Sequence, residues 1–143
     1  MRSYDTPIAE LLPQAAPMLL LDAVLGWETD RLDASVTIRA DSPFSHAGKG
    51  VPAHIGIEYM AQACGALSGI EARAAGRPVR IGYLLGTRHF LAAVDWFPQD
   101  AQLTVRVSAA FRDGDMGVFD CVIFSAGREL AAAQLTVHEP ADP

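Results

Sequence analysis

Residues 51–75 carry apolar side chains around almost the whole circumference of a helix. The apolar positions are Ile55, Ile57, Tyr59, Met60, Ala61, Ala63, Cys64, Ala66, Leu67 and Ile70. A helix that is apolar on every face is a buried helix, so the rest of the chain must surround it. Pro52 suits a first helical turn, and Gly76 followed by Pro78 suits the end. The pattern therefore predicts a buried helix of roughly 20 residues.

Glu58 and Gln62 are polar residues within this apolar stretch. They lie four positions apart, so they share one face of the helix. Burying a carboxylate without a partner is costly, which leaves two interpretations of Glu58. It either has a chemical function, or it is a structural carboxylate that is paired with an arginine or partly exposed.

The composition argues against several classes of function. The net charge is −6, and the 11 lysines and arginines are scattered along the chain, which argues against nucleic acid as a partner. The N-terminus lacks a signal-peptide pattern, and no apolar run is long enough to span a membrane. We therefore expect a soluble, cytoplasmic protein without a membrane partner. Cys64 and Cys121 are expected to be buried free thiols, and no His/Cys cluster suggests a metal site.

Apolar and alternating runs on both sides of the helix predict six β-strands. The predicted strands cover residues 18–27, 32–39, 79–92, 101–112, 117–125 and 129–138, with a short helix over residues 6–13. Residues 40–50 have the composition of a loop and bring His46 to the start of the long helix. Gly86 is expected to mark a bend or bulge in the third strand.

This order of elements predicts an α+β protein with the hot-dog fold, in which a curved antiparallel sheet wraps around one long buried helix. At 143 residues, the chain is expected to form a single hot-dog domain over residues 1–143. Such a sheet leaves an edge strand, and exposed edges are usually paired or covered. We therefore expect a homodimer or a higher assembly of dimers.

Several short motifs resemble one protein family. Val51–Ala53, Glu58 and Met60–Gln62 resemble the helix start of the 3-hydroxyacyl-acyl-carrier-protein dehydratases. The phrases over residues 56–63 and 84–88 are similar to those of a subgroup, the dehydratase-like proteins of aryl-polyene and related lipid gene clusters. The resemblance covers most of the chain and implies the hot-dog fold.

The resemblance also implies a reaction and a set of site residues. Family members remove water from a 3-hydroxyacyl thioester on acyl carrier protein or coenzyme A, and give a trans-2-enoyl thioester. By this resemblance Glu58 is the catalytic acid, and His46 is the nearest match to the histidine base that the partner subunit supplies. The expected substrate-binding residues, including backbone N–H groups for the thioester oxygen, are Ala53, His54, Ile55, Gly56, Gln62 and Gly86. No metal or organic cofactor is expected.

Departures from the family pattern leave alternatives open. His46 lies two positions later, relative to Glu58, than the family histidine, and His54 on the same helical face is a second candidate for the base. One alternative function is a hot-dog acyl thioesterase, in which the acid activates water and no histidine is needed. Another is a catalytically impaired dehydratase-like subunit that forms a heterodimer with an active second hot-dog subunit.

Three arginines follow the long helix in sequence. Arg77, Arg80 and Arg88 are expected to form either a docking patch for an acidic carrier protein or an ordinary solvated surface. Their positions in the fold decide between these two interpretations.

Overall fold

The computed structural model describes residues 1–14, 17–80 and 82–140. Within these residues the strands and the helix are β1 Ala23–Glu28, β2 Arg31–Thr37, β3 Val51–Pro52, α1 Gly56–Ala74, β4 Tyr83–Ala92, β5 Trp96–Phe97, β6 Gln102–Asp113, β7 Met116–Ser125 and β8 Arg128–His138. Short 3-10 turns cover Ile8–Glu10 and Ala53–Ile55.

Six strands form one antiparallel sheet in the order β1-β2-β6-β7-β8-β4, and α1 packs against β2, β6, β7 and β8. Alternate residues of these strands are buried. In β7, for example, Gly117, Phe119, Cys121 and Ile123 are buried and the residues between them are more exposed. The period of two is that of a sheet with one face against the core. The predicted α+β class and hot-dog fold are confirmed.

Helix α1 is buried along most of its length, as its sequence predicts. Met60, Ala63, Leu67 and Ile70 are at most 1% exposed. The helix ends where Gly76 takes a positive φ of 69°. The N–H of Arg77 then donates to the carbonyl of Ala72 at 2.8 Å, and the N–H of Gly76 to that of Arg73 at 3.1 Å, which is a Schellman end. The predicted stop at Gly76 is confirmed.

The start of the helix differs from the prediction. Pro52 does not open α1, because Val51 and Pro52 form the short strand β3 and pair with Phe97 and Trp96 of β5. A 3-10 turn over Ala53–Ile55 follows, and α1 begins at Gly56. The long-range pairing with β5 outweighs the local preference of proline for a first helical turn.

Other predicted boundaries were also too long. The strand predicted from residue 18 begins at Ala23, because residues 18–20 instead contact the side chain of Gln62 on α1. The helix predicted over residues 6–13 is only the 3-10 turn Ile8–Glu10. The strand predicted over 79–92 begins at Tyr83, and Ile81 lies outside the described residues.

β4 is an edge strand with an apolar, exposed surface. Its exposed side chains include Tyr83, Leu84, Leu85 and Leu91, the last at 72% of its full area. The register with β8 shifts between Leu84 and Gly86, which confirms the predicted bulge. A strand at the edge of a sheet leaves a row of backbone N–H and C=O groups unpaired on its outer side.

Across the described part of the chain, no helix combines the length and the hydropathy that crossing a membrane requires.

Candidate active site

Glu58 lies in the first turn of α1, where its side chain is partly exposed. The Nε2 group of Gln62 donates a hydrogen bond to its Oε1 atom at 3.1 Å. Within the described residues no cation forms an ion pair with Glu58. The arginine pairing considered from sequence is therefore not formed, and Glu58 is partly exposed with a neutral amide beside it.

Gln62 is a fully buried polar residue, at 1% exposure. Its Nε2 group also donates to the carbonyl of Met18 at 2.7 Å, and its Oε1 atom accepts the N–H of Leu20 at 2.8 Å. These bonds use both N–H donors of the amide and one lone pair of its oxygen. The polar atoms of Gln62 are thus engaged inside the protein, and its expected role as a substrate-binding residue stays a prediction.

The backbone N–H groups expected to face substrate are only partly available. The N–H of Ala53 donates to the carbonyl of Asp95 at 2.9 Å. The N–H of Gly56 is directed at the carbonyls of Ala53 and His54. The expectation of four free donors at this end is therefore wrong for Ala53 and Gly56, because the 3-10 turn and the contact with Asp95 satisfy them.

His46 lies at the start of a tight loop that ends at Gly50. The N–H of His46 donates to the carbonyl of Gly50 at 2.7 Å, and the N–H of Gly50 donates back at 3.0 Å. Gly50 has a φ of 105°, and a β-carbon there would overlap the carbonyl oxygen of Phe97. Only glycine fits this position. The loop conformation, and with it the position of His46, is therefore fixed.

Neither candidate histidine is bonded to Glu58 of its own chain. His46 and His54 are both exposed, and no ion pair in the described part of the chain joins either imidazole to Glu58. The one-chain pair considered for His54 and Glu58 is therefore not formed. The His46 ring instead packs edge-on against Trp96, with ring centroids 5.1 Å apart.

Sequence reasoning missed three contributors to this site: Trp96, which packs against His46, and the backbone of Met18 and Leu20, which binds Gln62. The sequence did carry a signal for Trp96, because Trp96 and Phe97 are two adjacent aromatic residues directly before Pro98. Backbone atoms carry no sequence signal, so the contacts of Met18 and Leu20 could not be read from the chain.

Tyr59 follows Glu58 in sequence and faces a separate environment. Burial, and secondarily the carboxylate of Asp22, raise the pKa of Tyr59 to about 12. The phenol therefore stays protonated at neutral pH. Tyr59 also lines a cleft of about 200 Å³ that Leu19, Asp22, Thr37, Arg39 and Ser42 share.

The three arginines considered as a docking patch are divided between two places. Arg77 and Arg80 line a cleft of about 160 Å³ at the C-terminal end of α1, together with Arg112. Glu71, Asp115 and Glu139 line the same cleft, so its charges are balanced. Arg88 lies on β4, where it is paired in register with Gln134 of β8. Gly86 lies on the same exposed edge strand and has open space around it.

Cys64 and Cys121 are buried free thiols, as predicted. Burial raises the pKa of Cys64, which keeps it in the unreactive thiol form. Among the described residues, no group of three or more His, Cys, Asp or Glu side chains is placed to hold a metal ion.

Several solved structures have a fold similar to that of this chain. The chain matches the structure of the dehydratase heterocomplex ApeI:P from Xenorhabdus doucetiae with 30% sequence identity and a TM-score of 0.92, over 97% of this chain and 94% of that one. It also matches a hypothetical thioesterase with coenzyme A from Streptococcus pneumoniae TIGR4, with 14% identity, a TM-score of 0.63, and 83% and 85% of the two chains covered. A third match is smu.793 from Streptococcus mutans UA159 bound to acetyl CoA, with 14% identity, a TM-score of 0.67, and 92% and 97% coverage.

The last two similarities show the hot-dog fold alone. The model of the ApeP-like family, described as ApeP dehydratase, matches residues 6–143. The chain therefore belongs to the ApeP-like dehydratase family, which confirms the resemblance seen in its motifs. No protein with a curated description matches it.

Proposed function

We propose that this chain is a cytoplasmic subunit of a 3-hydroxyacyl-thioester dehydratase that forms a trans-2-enoyl thioester in the synthesis of a fatty-acid or polyene-type lipid. The observation that carries the proposal is Glu58 in a member of the ApeP-like dehydratase family. It is a partly buried carboxylate that pairs with no cation among the residues the structure describes. The substrate is an acyl thioester on acyl carrier protein or coenzyme A, and no cofactor takes part.

In the proposed reaction Glu58 gives its proton to the C3 hydroxyl, which leaves as water. A base takes the C2 proton, and the electron pair of that C–H bond becomes the C2=C3 double bond. Charge develops on the thioester oxygen while C2 loses its proton, so a hydrogen-bond donor there lowers the barrier. The N–H groups of His54 and Ile55, in the turn before α1, are our candidates for this donor.

We propose His46 as the base, acting across a subunit interface. On a single chain, His46 is held by Trp96 and is not bonded to Glu58. In the dehydratases that the sequence resembles, the acid and the histidine come from different subunits. An exposed histidine and a partly exposed acid that do not meet on one chain fit such an arrangement.

We further propose that the partner is a second hot-dog subunit, bound along β4. The exposed apolar edge of β4 supports this, as does the similarity to a dehydratase heterocomplex. An edge strand offers its unpaired N–H and C=O groups to a strand of another chain, and the leucines add apolar area to the contact. A homodimer through the same edge is the alternative assembly.

The test of the reaction is incubation of the purified protein, alone and with the second hot-dog subunit, with a 3-hydroxyacyl thioester. Mass spectrometry would follow loss of water and release of free acid. We expect loss of water that both Glu58→Gln and His46→Ala abolish. Free acid without enoyl product would instead establish a thioesterase. Full activity of the His46→Ala variant in the complex would assign the base to the partner, and full activity of Glu58→Gln would overturn the proposal.

The test of the interface is Leu91→Asp, which places a charge on the β4 edge. Light scattering coupled to size exclusion should show loss of the dimer. The matched control is Leu25→Asp on β1, the opposite edge of the sheet, where the leucine is 53% exposed. Equal dissociation by both variants, or by neither, would contradict pairing through β4.

A further inference from the structure

The amide of Gln62 has only one orientation that its neighbours allow. The N–H of Leu20 is a donor, so the atom facing it must be the amide oxygen. The carbonyl of Met18 is an acceptor, so the atom facing it must be the amide nitrogen. If the amide were reversed, its NH₂ group would face the N–H of Leu20 and its oxygen would face the carbonyl of Met18, and neither pair can form a hydrogen bond. The backbone of residues 18–20 therefore fixes which end of Gln62 faces Glu58.

This orientation has a consequence for the acid. The Nε2 group has two hydrogens, of which one is taken by Met18, so the second is directed at Oε1 of Glu58 at 3.1 Å. In a protonated carboxyl the carbonyl oxygen is the better acceptor, and the hydroxyl oxygen carries the proton. Among the described residues no hydrogen bond reaches Oε2. Oε2 is thus the oxygen left to exchange a proton with a substrate.

We infer that Gln62 is a positioning residue for the acid, and that it makes the geometry of Glu58 depend on the N-terminal segment of residues 18–20. This inference rests on the proposed function. Gln62 does not touch substrate, because it is 1% exposed. It holds the carboxyl so that Oε1 accepts the amide N–H and Oε2 faces the reacting group.

The experiment compares Gln62→Leu with a matched control in the complex that dehydrates the thioester. The control is Gln134→Leu, which makes the same change of side chain on β8. The Nε2 group of Gln134 donates to Oδ1 of Asp120 at 3.2 Å. This variant therefore removes an amide–carboxylate hydrogen bond that involves neither Glu58 nor residues 18–20. We expect Gln62→Leu to lower kcat by about 10- to 100-fold, with KM within about threefold, since small misplacement of a catalytic group is costly. We expect Gln134→Leu to leave kcat within about threefold, because it moves no group near Glu58.

Two further variants keep the inference testable. If Gln62→Leu does not fold, Gln62→Met keeps the length of the unbranched side chain but lacks the N–H donors, and the same loss of kcat is expected. In a Glu58→Gln background, Gln62→Leu should cause no further loss of the residual rate. An equal loss in both backgrounds, a loss no larger than that of Gln134→Leu, or an effect on KM alone would overturn the inference. Glu58→Gln by itself tests the proposed function, so the two failures are distinguishable.

Discussion

The two ends of helix α1 carry the same type of side chain in opposite electrostatic surroundings. Near the start, Glu58 is bonded to the neutral amide of Gln62 and has no cation beside it among the described residues. Near the end, both oxygens of Glu71 accept hydrogen bonds from Arg112, at 2.8 and 2.9 Å. Asp30 lies 3.6 Å from the same guanidinium nitrogen. The guanidinium lies against the charge of Glu71, whereas the amide of Gln62 orients the carboxyl of Glu58 and brings no charge to it.

On our proposal, this difference separates a chemical role for Glu58 from a structural role for Glu71 on a single helix. The carboxyl of Glu58 keeps one oxygen free, and the backbone of residues 18–20 fixes its amide partner. Glu71 has both oxygens occupied and closes the helix end onto β6 through Arg112. A glutamate on a buried helix is therefore judged by its partner, and burial alone does not reveal its function.

The sharpest test of the comparison replaces each carboxylate with its amide. We expect Glu58→Gln to lower the dehydration rate of the active complex by at least about hundredfold, which is the usual contribution of a general acid. Glu71→Gln should leave the rate within about twofold, because it only weakens an exposed ion pair. Steady-state kinetics with one thioester substrate would measure both. Similar losses from the two variants would remove the distinction between the helix ends.

The second prediction concerns packing between the two ends. A β-carbon at Gly69 would overlap the backbone carbonyl oxygen of Leu11, whereas one at Gly65 would meet only the flexible Cδ2 of Leu12, at 2.9 Å. We expect Gly69→Ala to lower the free energy of unfolding by about 1–3 kcal/mol, as overpacking typically does. Gly65→Ala should cost less, because the leucine can move and alanine favours the helix. Urea denaturation would measure the free energy of unfolding of both variants. An equal loss in the two would show that overlap with the backbone carbonyl of Leu11 is not the cause of the destabilisation.

A smaller effect is expected from the ion pair at the far end of α1. Arg112→Gln removes the partner of Glu71. The side chain of Arg112 is 33% exposed. Exposed pairs contribute about 0–1 kcal/mol. We expect a loss within that range that shrinks further in about 1 M salt, where screening acts over a few ångströms. A loss of unfolding free energy well above that range, and insensitive to salt, would contradict the description of this pair as an exposed, structurally minor contact.

The smallest predicted effect is a pH dependence at the far end. Burial raises the pKa of Glu139 above its ordinary value of 4.5, with Ser68 and Arg112 opposing the shift. The folded protein then holds this proton more tightly than the unfolded chain does. Stability from this group is therefore complete below pH 4.5 and is lost as the pH rises through the raised value.

Glu139→Gln should remove that decline in thermal unfolding scans across the acidic range. Glu129→Gln, at an exposed position near the start of β8, is the control. Identical pH profiles for wild type and Glu139→Gln would contradict the shift.

Much of the fold could be predicted because its signals are local. The apolar circumference of residues 56–70 required a surrounding layer. Period-two alternation placed both ends of β6, β7 and β8 to within one residue of where the structure has them. The helix end follows from Gly76, whose φ of 69° disfavours a side chain. The bulge near Gly86 was predicted from a glycine inside a strand pattern, although a side chain there would meet open space. The candidate acid was also visible, because a carboxylate in an apolar helix is rare.

The amino-acid sequence by itself determined the buried helix, the order of the strands along the chain and the position of Glu58 on that helix, because hydrophobic periodicity acts over a few residues. Tertiary structure alone decided what Glu58 meets. The amide of Gln62, the backbone of residues 18–20, the packing of His46 on Trp96 and the late start of α1 at Gly56 all depend on contacts between segments 40 or more residues apart. Such contacts form only when the sheet closes over the helix, and backbone groups carry no residue-specific signal.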